Sequence, residues 1–462
     1  MEYKWKAMFI VWIGIFMATL DGSIVNVALP TLTKYFNTDI TTIEWVIMAY
    51  LLTITSLLLS LGRLSDMIGR KTIFAGGLAV FTIGSGLCAL SVTEGQLILF
   101  RVIQGIGAAM TMATGIAIIT HAFPPRERGK AMGLIGTVVS IGAMAGPVAG
   151  GFLIKNIGWQ SMFYINIPVG IFGTAMAFKV LQNDETAPGQ IFDTPGALTL
   201  FISLTSLLLA LSRGQELGWG SSYISLLFVL FIVFFNLFVF VENKARQPMM
   251  ELQHFRNRPF AAANISAFIS FIAMSSTILL MPFFLEKELR YSPQQIGLVF
   301  LSVPLVMSVV SPLSGWLSDK TNSYILSSIG VGIACVSILS LSFMSSSSSF
   351  IDVTLSLAAL GLGMGLFQAP NNSIIMGSLP KEKLGIAAGT LGTMRNMGMV
   401  IGIAISGAVF SNRYALYGGN DSSFLPAFHD TYIVSAIICG IAMVTSLIRS
   451  RTGGGQKTQP PE

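Results

Sequence analysis

The chain has 462 residues, of which 53% are hydrophobic and only 10% charged, and its mean hydropathy is +0.73. A soluble domain carries roughly 25% charged residues, so this composition excludes one and indicates a polytopic membrane protein. The formal charge of +6 implies no nucleic-acid partner, because the basic residues are dispersed in short loops beside apolar runs, where they orient spans. Cys88, Cys335 and Cys439 stand singly in apolar runs without CxxC spacing, so neither a disulfide framework nor a metal site is expected.

In chain order, apolar stretches near the ~20 residues that cross a bilayer recur at about 7–29, 43–62, 72–91, 96–120, 130–153, 160–181, 195–213, 222–241, 260–285, 294–317, 323–344, 351–375, 385–411 and 430–449. Fourteen spanning helices are expected. Lys4 and Lys6 precede an apolar run too long for a signal-peptide core, so the first span is expected to be retained. An even number of spans puts both termini on one side, and the loops on that side carry most of the 27 Lys and Arg residues. The positive-inside rule then predicts cytoplasmic termini in a cell (inner) membrane.

An internal repeat groups the helices. Pro124, Gly129, Gly133, Thr137, Gly142 and Gly146 align at one constant offset with Pro380, Gly385, Gly389, Thr393, Gly398 and Gly402, and Gly62 and Asp66 align at a similar one with Gly315 and Asp319. The expected units are an N-terminal six-helix half (1–181), a linker with two inserted helices (182–258), a C-terminal six-helix half (259–450) and a Gly/Gln/Pro-rich disordered tail (451–462). Parallel six-helix halves with a path between them are a transporter architecture.

The first span places Asp21 in an otherwise apolar run. A carboxylate near mid-membrane costs ~2.5–3.5 kcal/mol on insertion scales and therefore turns toward a bundle interior, a partner or water. The fourth span holds Arg101 about one turn inside the membrane, in the same outer half as Asp21, so the two can interact directly or through water. A packing role for Asp21 and a snorkelling role for Arg101 are the plain alternatives. Glu44, at the outer start of the second span, is a weaker second carboxylate.

The loop after the second span reads Gly62-Arg-Leu-Ser-Asp66-Met-Ile-Gly69-Arg70-Lys71. Its glycines permit a tight turn, and Asp66 can cap the next helix. Its spacing does not match a phosphate loop, so no ATP site is supported. This loop resembles the loop 2–3 signature of the major facilitator superfamily, with a degenerate second copy around Asp319. The resemblance implies a gating role for Gly62, Asp66, Gly69, Arg70, Lys71 and Asp319. Arg101-x-x-Gln104-Gly105 is similar to the family signature tied to proton transfer, which adds Gln104 to Asp21 and Arg101 as proton-coupling residues. Gly142, Gly146, Pro147, Gly150 and Gly151 in the fifth span allow close helix contact and a bend, and they resemble the antiporter signature. The run from Leu20 to Pro30, with Trp159 and Ile165-Asn166-Ile-Pro168, resembles the fourteen-helix drug:proton antiporter branch.

Asn26, Tyr50, Gln368, Asn371, Asn372, Arg395 and Asn396 are candidates to line a substrate cavity, with interhelical bonding as the alternative for the amides. His121, His254 and His429 fall near helix ends or in loops and are expected to be solvated rather than catalytic. The expected fold is all-α, a major facilitator fold of two six-helix halves plus two inserted helices. The expected function is proton-coupled antiport exporting lipophilic, cationic small molecules; a transporter dedicated to one metabolite or antibiotic is the alternative. No enzyme activity and no cofactor are expected. The expected partners are small-molecule substrates, protons and the bilayer, with the chain acting as a monomer.

Overall fold

The structure is a computed structural model that describes residues 2–124, 127–182, 193–245, 248, 250–379 and 384–453. The side chains of Asp66 and Asp319, most of the linker after Gln182, Pro380 and the tail from residue 454 lie outside the described residues.

All regular structure described is helical. The N-terminal half contains α1 (Tyr3–Phe36), the short α2 (Ile40–Ile43) leading into α3 (Trp45–Ile68), α4 (Arg70–Ala89), α5 (Glu94–Ala122), α6 (Arg128–Asn156), and the short α7 (Ser161–Tyr164) leading into α8 (Asn166–Val180). Then come α9 (Thr194–Leu217) and α10 (Ser222–Lys244). The C-terminal half contains α11 (Arg258–Lys287), α12 (Pro293–Lys320), α13 (Ser323–Leu341), α14 (Phe350–Gly377), α15 (Leu384–Leu416) and α16 (Phe424–Gly453). Among the described residues, fourteen helical segments are long and apolar enough to cross a membrane, as expected from the sequence. Helix starts are fixed by side chains that satisfy the free first-turn amides. Thr93 accepts from Gln96 N, and Ser292 and Ser349 form reciprocal capping boxes with Gln295 and Asp352.

The repeat is visible in the packing. Gly142 and Gly146 of α6 lie against Phe16, Thr19 and Ser23 of α1, and Gly398 and Gly402 of α15 lie in the same way against Phe268, Phe271 and Ser275 of α11. Gly77 and Gly107 bring α4 and α5 into backbone contact, as Gly330 and Gly363 do for α13 and α14. These glycines are what the approach requires, since a Cβ at Gly107 or Gly363 would run into the backbone of the facing helix. The inserted α9 packs on α3 and α15, whereas α10 packs on α9 and leaves Leu226, Val229, Ile232 and Phe240 exposed.

The two halves meet at the end of the bundle away from the chain termini. There Gly151 of α6 abuts Pro293 and Gln294 of α12, Gly297 of α12 abuts Pro147, Lys155 donates to Gln294 at 3.0 Å, and Lys34 pairs with Glu286.

Candidate functional site

Five helices of the first half converge on Asp21, which is 0% exposed. Arg101 of α5 donates through Nη1 to Asp21 Oδ2 at 2.5 Å and to Gln104 Oε1 at 2.6 Å, and through Nε to the Val46 carbonyl of α3 at 2.9 Å. Asp21 Oδ1 accepts from Gln104 Nε2 at 2.8 Å and from Asn166 Nδ2 of α8 at 3.0 Å. The same two amide nitrogens donate to Ser85 Oγ of α4 at 2.6 and 3.0 Å. The Tyr50 ring lies 4.0 Å below the guanidinium carbon, a favourable cation–π position.

Local sequence explains the convergence. Arg101 and Gln104 are one turn apart on α5, so both point to the same side. Gly84 lets α4 rest on the Gln104 backbone, where a Cβ would stand 2.7 Å from Gln104 Cα, and this brings Ser85 within reach. On the other flank, Ser23 donates to the Gly142 carbonyl at 3.2 Å, and a Cβ on Gly150 would be 2.7 Å from Ile24 Cγ1. The glycine row of α6 therefore holds α1 in place immediately around Asp21, while Pro147 and Gly151 of the same helix face the other half.

Both Asp21 oxygens and every Arg101 group named above are satisfied without solvent. A buried charge pair is tolerated only with such full hydrogen bonding, and losing either member leaves an expensive orphan. In the second half Phe268 and Ser275 stand to α15 as Phe16 and Ser23 stand to α6, which puts Ala273 in the place of Asp21, and the Arg101 and Gln104 places hold the buried Leu357 and Leu360. The charge chemistry is one-sided.

Ser85 and Asn166 belong to this cluster and were not singled out as site residues from the sequence. The available signals were a serine flanked by Gly84 and Gly86, which marks close helix approach, and an amide one turn into a span. Tyr50, read as a cavity candidate, is instead 2% exposed and occupied beneath Arg101. Asn371 donates to the Ala263 carbonyl of α11 at 3.2 Å and ties two helices together, and Asn396 is buried. Asn26, Gln368, Asn372 and Arg395 remain partly exposed, and Arg395 has no hydrogen-bond or ion-pair partner among the described residues.

Around the loop between α3 and α4, Gly69 is the only residue between the two helices and has φ 108°, a conformation that glycine alone adopts readily. Gly62 faces open space, and Arg70 and Lys71 begin α4. The expectation that Asp66 caps α4 is not met: α3 continues to Ile68, so Asp66 lies inside α3 and Gly69 takes the N-cap position without a side-chain bond. Two histidines also differ from the solvated reading. His254 pairs with Glu251 at 2.8 Å, and His429 Nε2 lies 2.6 Å from the Met344 carbonyl.

Two helical halves related by an internal repeat, spanning a membrane and meeting at one end, define a multi-pass secondary transporter of small molecules. The chain belongs to the Major Facilitator Superfamily, whose sequence profile matches residues 11–403 and 263–462. It is 35% identical over 98% of both chains to the riboflavin transporter RibZ of Clostridioides difficile. It is also 31% identical to the multidrug transporter protein MdtP of Bacillus subtilis, covering 87% of this chain and 74% of that one, and 31% identical to the multidrug resistance protein Stp of Mycobacterium tuberculosis over 86% and 74%. The fold matches the crystal structure of a bacterial homologue of the human lysosomal transporter Spinster, in an inward-facing and unoccupied conformation, with a TM-score of 0.71, 14% identity and 99% coverage of both chains. The protein is a transporter and not an enzyme.

Proposed function

We propose that the protein exports lipophilic small molecules in exchange for protons by alternating access, with Asp21 as the proton-carrying group. The observation behind this reading is the enclosed Asp21–Arg101 pair. A carboxylate parts from a guanidinium inside a membrane only if it gains a proton, so separation of the pair is a proton-binding event. Arg101 holds the charged form, and Gln104, Asn166 and Ser85 hold both side chains in register. The dispersal of Lys and Arg supports cytoplasmic termini. The end where the halves touch is then the outer one, and the molecule is closed to the outside. In this reading the α6 glycines transmit movement of the halves to α1, and the hinge at Gly69, with Gly62, Arg70, Lys71, Asp66 and Asp319, gates the cytoplasmic side.

The multidrug resistance relatives support a drug-like substrate. Asp21 is enclosed, so it offers no counter-charge to a cationic substrate in this arrangement, whereas Arg395 is a cation with no hydrogen-bond or ion-pair partner among the described residues. Similarity to a riboflavin transporter along nearly the whole chain favours one second reading, a transporter dedicated to a single polar aromatic metabolite.

The test is purified protein in proteoliposomes with an imposed pH gradient, using a lipophilic cation, a neutral aromatic dye and riboflavin in separate arms. Export of several lipophilic compounds, lost in Asp21→Asn, is expected. Undiminished gradient-driven export by Asp21→Asn removes Asp21 from its assigned role, and movement of riboflavin alone selects the second reading.

A further inference from the structure

A second carboxylate is enclosed in the same molecule, at the end where the halves touch, and the Asp21 mechanism makes no use of it. Glu44, at the junction of α2 and α3, is 0% exposed. Its Oε1 accepts from Ser212 Oγ of the inserted α9 at 3.0 Å, and its Oε2 has no hydrogen-bond partner among the described residues. Ser212 is held in turn by the Trp45 indole, which donates to its Oγ at 3.0 Å, and lies 3.0 Å from the Thr41 carbonyl. From the other half, Gly407 of α15 rests directly on the Glu44 carboxylate; a Cβ there would stand 2.8 Å from its carboxyl carbon. One side chain thus joins the first half, the insertion and the second half.

The charged groups near Glu44 do not form a pair with it. Arg213 of α9 is bound to Glu216 at 2.5 Å, and Arg413 of α15 pairs with Asp430 at 3.3 Å. Asp39, in the loop before α2, acts on Glu44 through space, as Arg213 does. Although burial works in the opposite direction, hydrogen bonds from Thr41 and Thr42 hold the Asp39 carboxyl below its ordinary value, so Asp39 stays anionic through the neutral range. A buried carboxylate with an unbonded oxygen and no bound cation is too costly to keep charged. Water has a route to it: a cavity of about 510 Å³ at the same end is lined by Thr38, Asp39, Thr41, Ser212, Lys287 and Tyr414, and so reaches the serine bonded to Glu44.

We propose that Glu44 is a second proton-binding site, and that its neutral acid is the form in which the outer end closes. The proton comes from cavity water and returns there. Deprotonation leaves a charge against the α15 backbone at Gly407 and drives α15 and α9 away from α3, opening the end. This also gives the inserted pair a role, since α9 supplies Ser212. The inference rests on the proton-driven reading above and on its assignment of this end to the outside.

The experiment measures the rate at which a membrane-impermeant maleimide labels Ser411→Cys, in a background with Cys88, Cys335 and Cys439 replaced by serine, across a pH series and without substrate. Rates are normalised to a cysteine at exposed Tyr417. In the parent, labelling is expected to rise several-fold with pH. In Glu44→Gln it should stay low and flat, because the amide keeps the closed geometry and cannot ionise. In Gly407→Ala it should be high at every pH. The same series in Asp21→Asn separates the two readings. A pH response that persists in Asp21→Asn and vanishes in Glu44→Gln supports the second site. A response that persists in Glu44→Gln, or a parent with none, overturns it, and the Asp21 assignment then stands or falls on the transport assay alone.

Discussion

Replacing Arg101 with leucine tests whether the Asp21 cluster is an ion pair or ordinary interhelical hydrogen bonding. The substitution removes the donor to Asp21 Oδ2, Gln104 Oε1 and Val46 O at once. Gln104 and Asn166 still serve Asp21 Oδ1, but Oδ2 is left bare in a site that is 0% exposed. Breaking a buried pair from one side costs about 3–5 kcal/mol. Asp21→Asn orphans the guanidinium and carries a similar cost, whereas the double variant Asp21→Asn/Arg101→Leu leaves no charge in the cluster. The expected coupling energy is therefore about 2–3 kcal/mol, with the double variant more stable than the sum of the single losses predicts. Polar contacts between membrane helices average only about 0.6 kcal/mol in such cycles, so the two explanations are separable. The assay is equilibrium unfolding in mixed micelles of the parent, both single variants and the double variant. Additive losses, or a coupling near the ordinary contact value, would refute the ion-pair reasoning. All three variants are expected to lose gradient-driven export, whatever their stability.

Asn166→Leu should weaken the cluster by about 1.5–3 kcal/mol, the net worth of a hydrogen bond to a charged group, although Gln104 still serves Asp21 Oδ1 and Ser85, and should reduce export while Asn166→Ser recovers part of it; equal export by both variants in proteoliposomes would remove Asn166 from the site. Gly146→Leu would drive a side chain into Ser23 and Ile24, and it is expected to fix cysteine accessibility on one face and abolish exchange; a normal accessibility pattern with normal transport would reduce the α6 glycines to packing. Arg395→Gln should change which compounds are exported without altering proton release per molecule moved, and an unchanged substrate profile would take Arg395 out of the cavity. Asp39→Ala removes the α2 cap to Thr42 N at 2.9 Å and should cost about 1 kcal/mol. Because the Asp39 carboxyl is held below its ordinary value, that contribution is present at neutral pH, above the unfolded value of 3.8, and is lost as pH falls through the lower folded value; denaturant midpoints at neutral and acid pH check it.

The spans were legible because a bilayer imposes length and apolarity on every crossing segment, and the halves were legible because the glycine approach they share fixes residues at constant spacing. Asp21 and Arg101 were legible for the same reason: charge inside an apolar run is conspicuous. Ser85 and Asn166 were not, since a serine or amide in a membrane helix most often bonds its own backbone or a neighbour, and only the crossing of α4 and α8 at Asp21 distinguishes these two. Tyr50 misled for a related cause. Its ring face lies under Arg101 and its hydroxyl donates to the Ala18 carbonyl at 3.4 Å, so both ends are taken up inside the first half. The Asp66 reading failed on a boundary, because a glycine at φ 108° lets α3 run to Ile68 before the chain turns.

The packing of the halves is symmetric and their chemistry is not, and this difference bears on how the exchange is driven. The α6 and α15 glycine rows give both halves the same close contact with α1 and α11, so both can rock by the same geometry. Among the described residues the Asp21 cluster has no counterpart in the second half, where Ala273, Leu357 and Leu360 take its places. A symmetric pair of ion clusters would bind protons in both halves and favour whichever state holds both charges neutral. On the proposed mechanism, a single cluster beside α6, whose Pro147 and Gly151 touch α12 directly, instead passes one proton-binding event to the interface between the halves. Glu44 lies on the opposite seam, where α3 meets α15. On the two proposals above, Asp21 and Glu44 therefore address the two seams that part for the outer end to open, one through α1 and α6 and the other by direct contact.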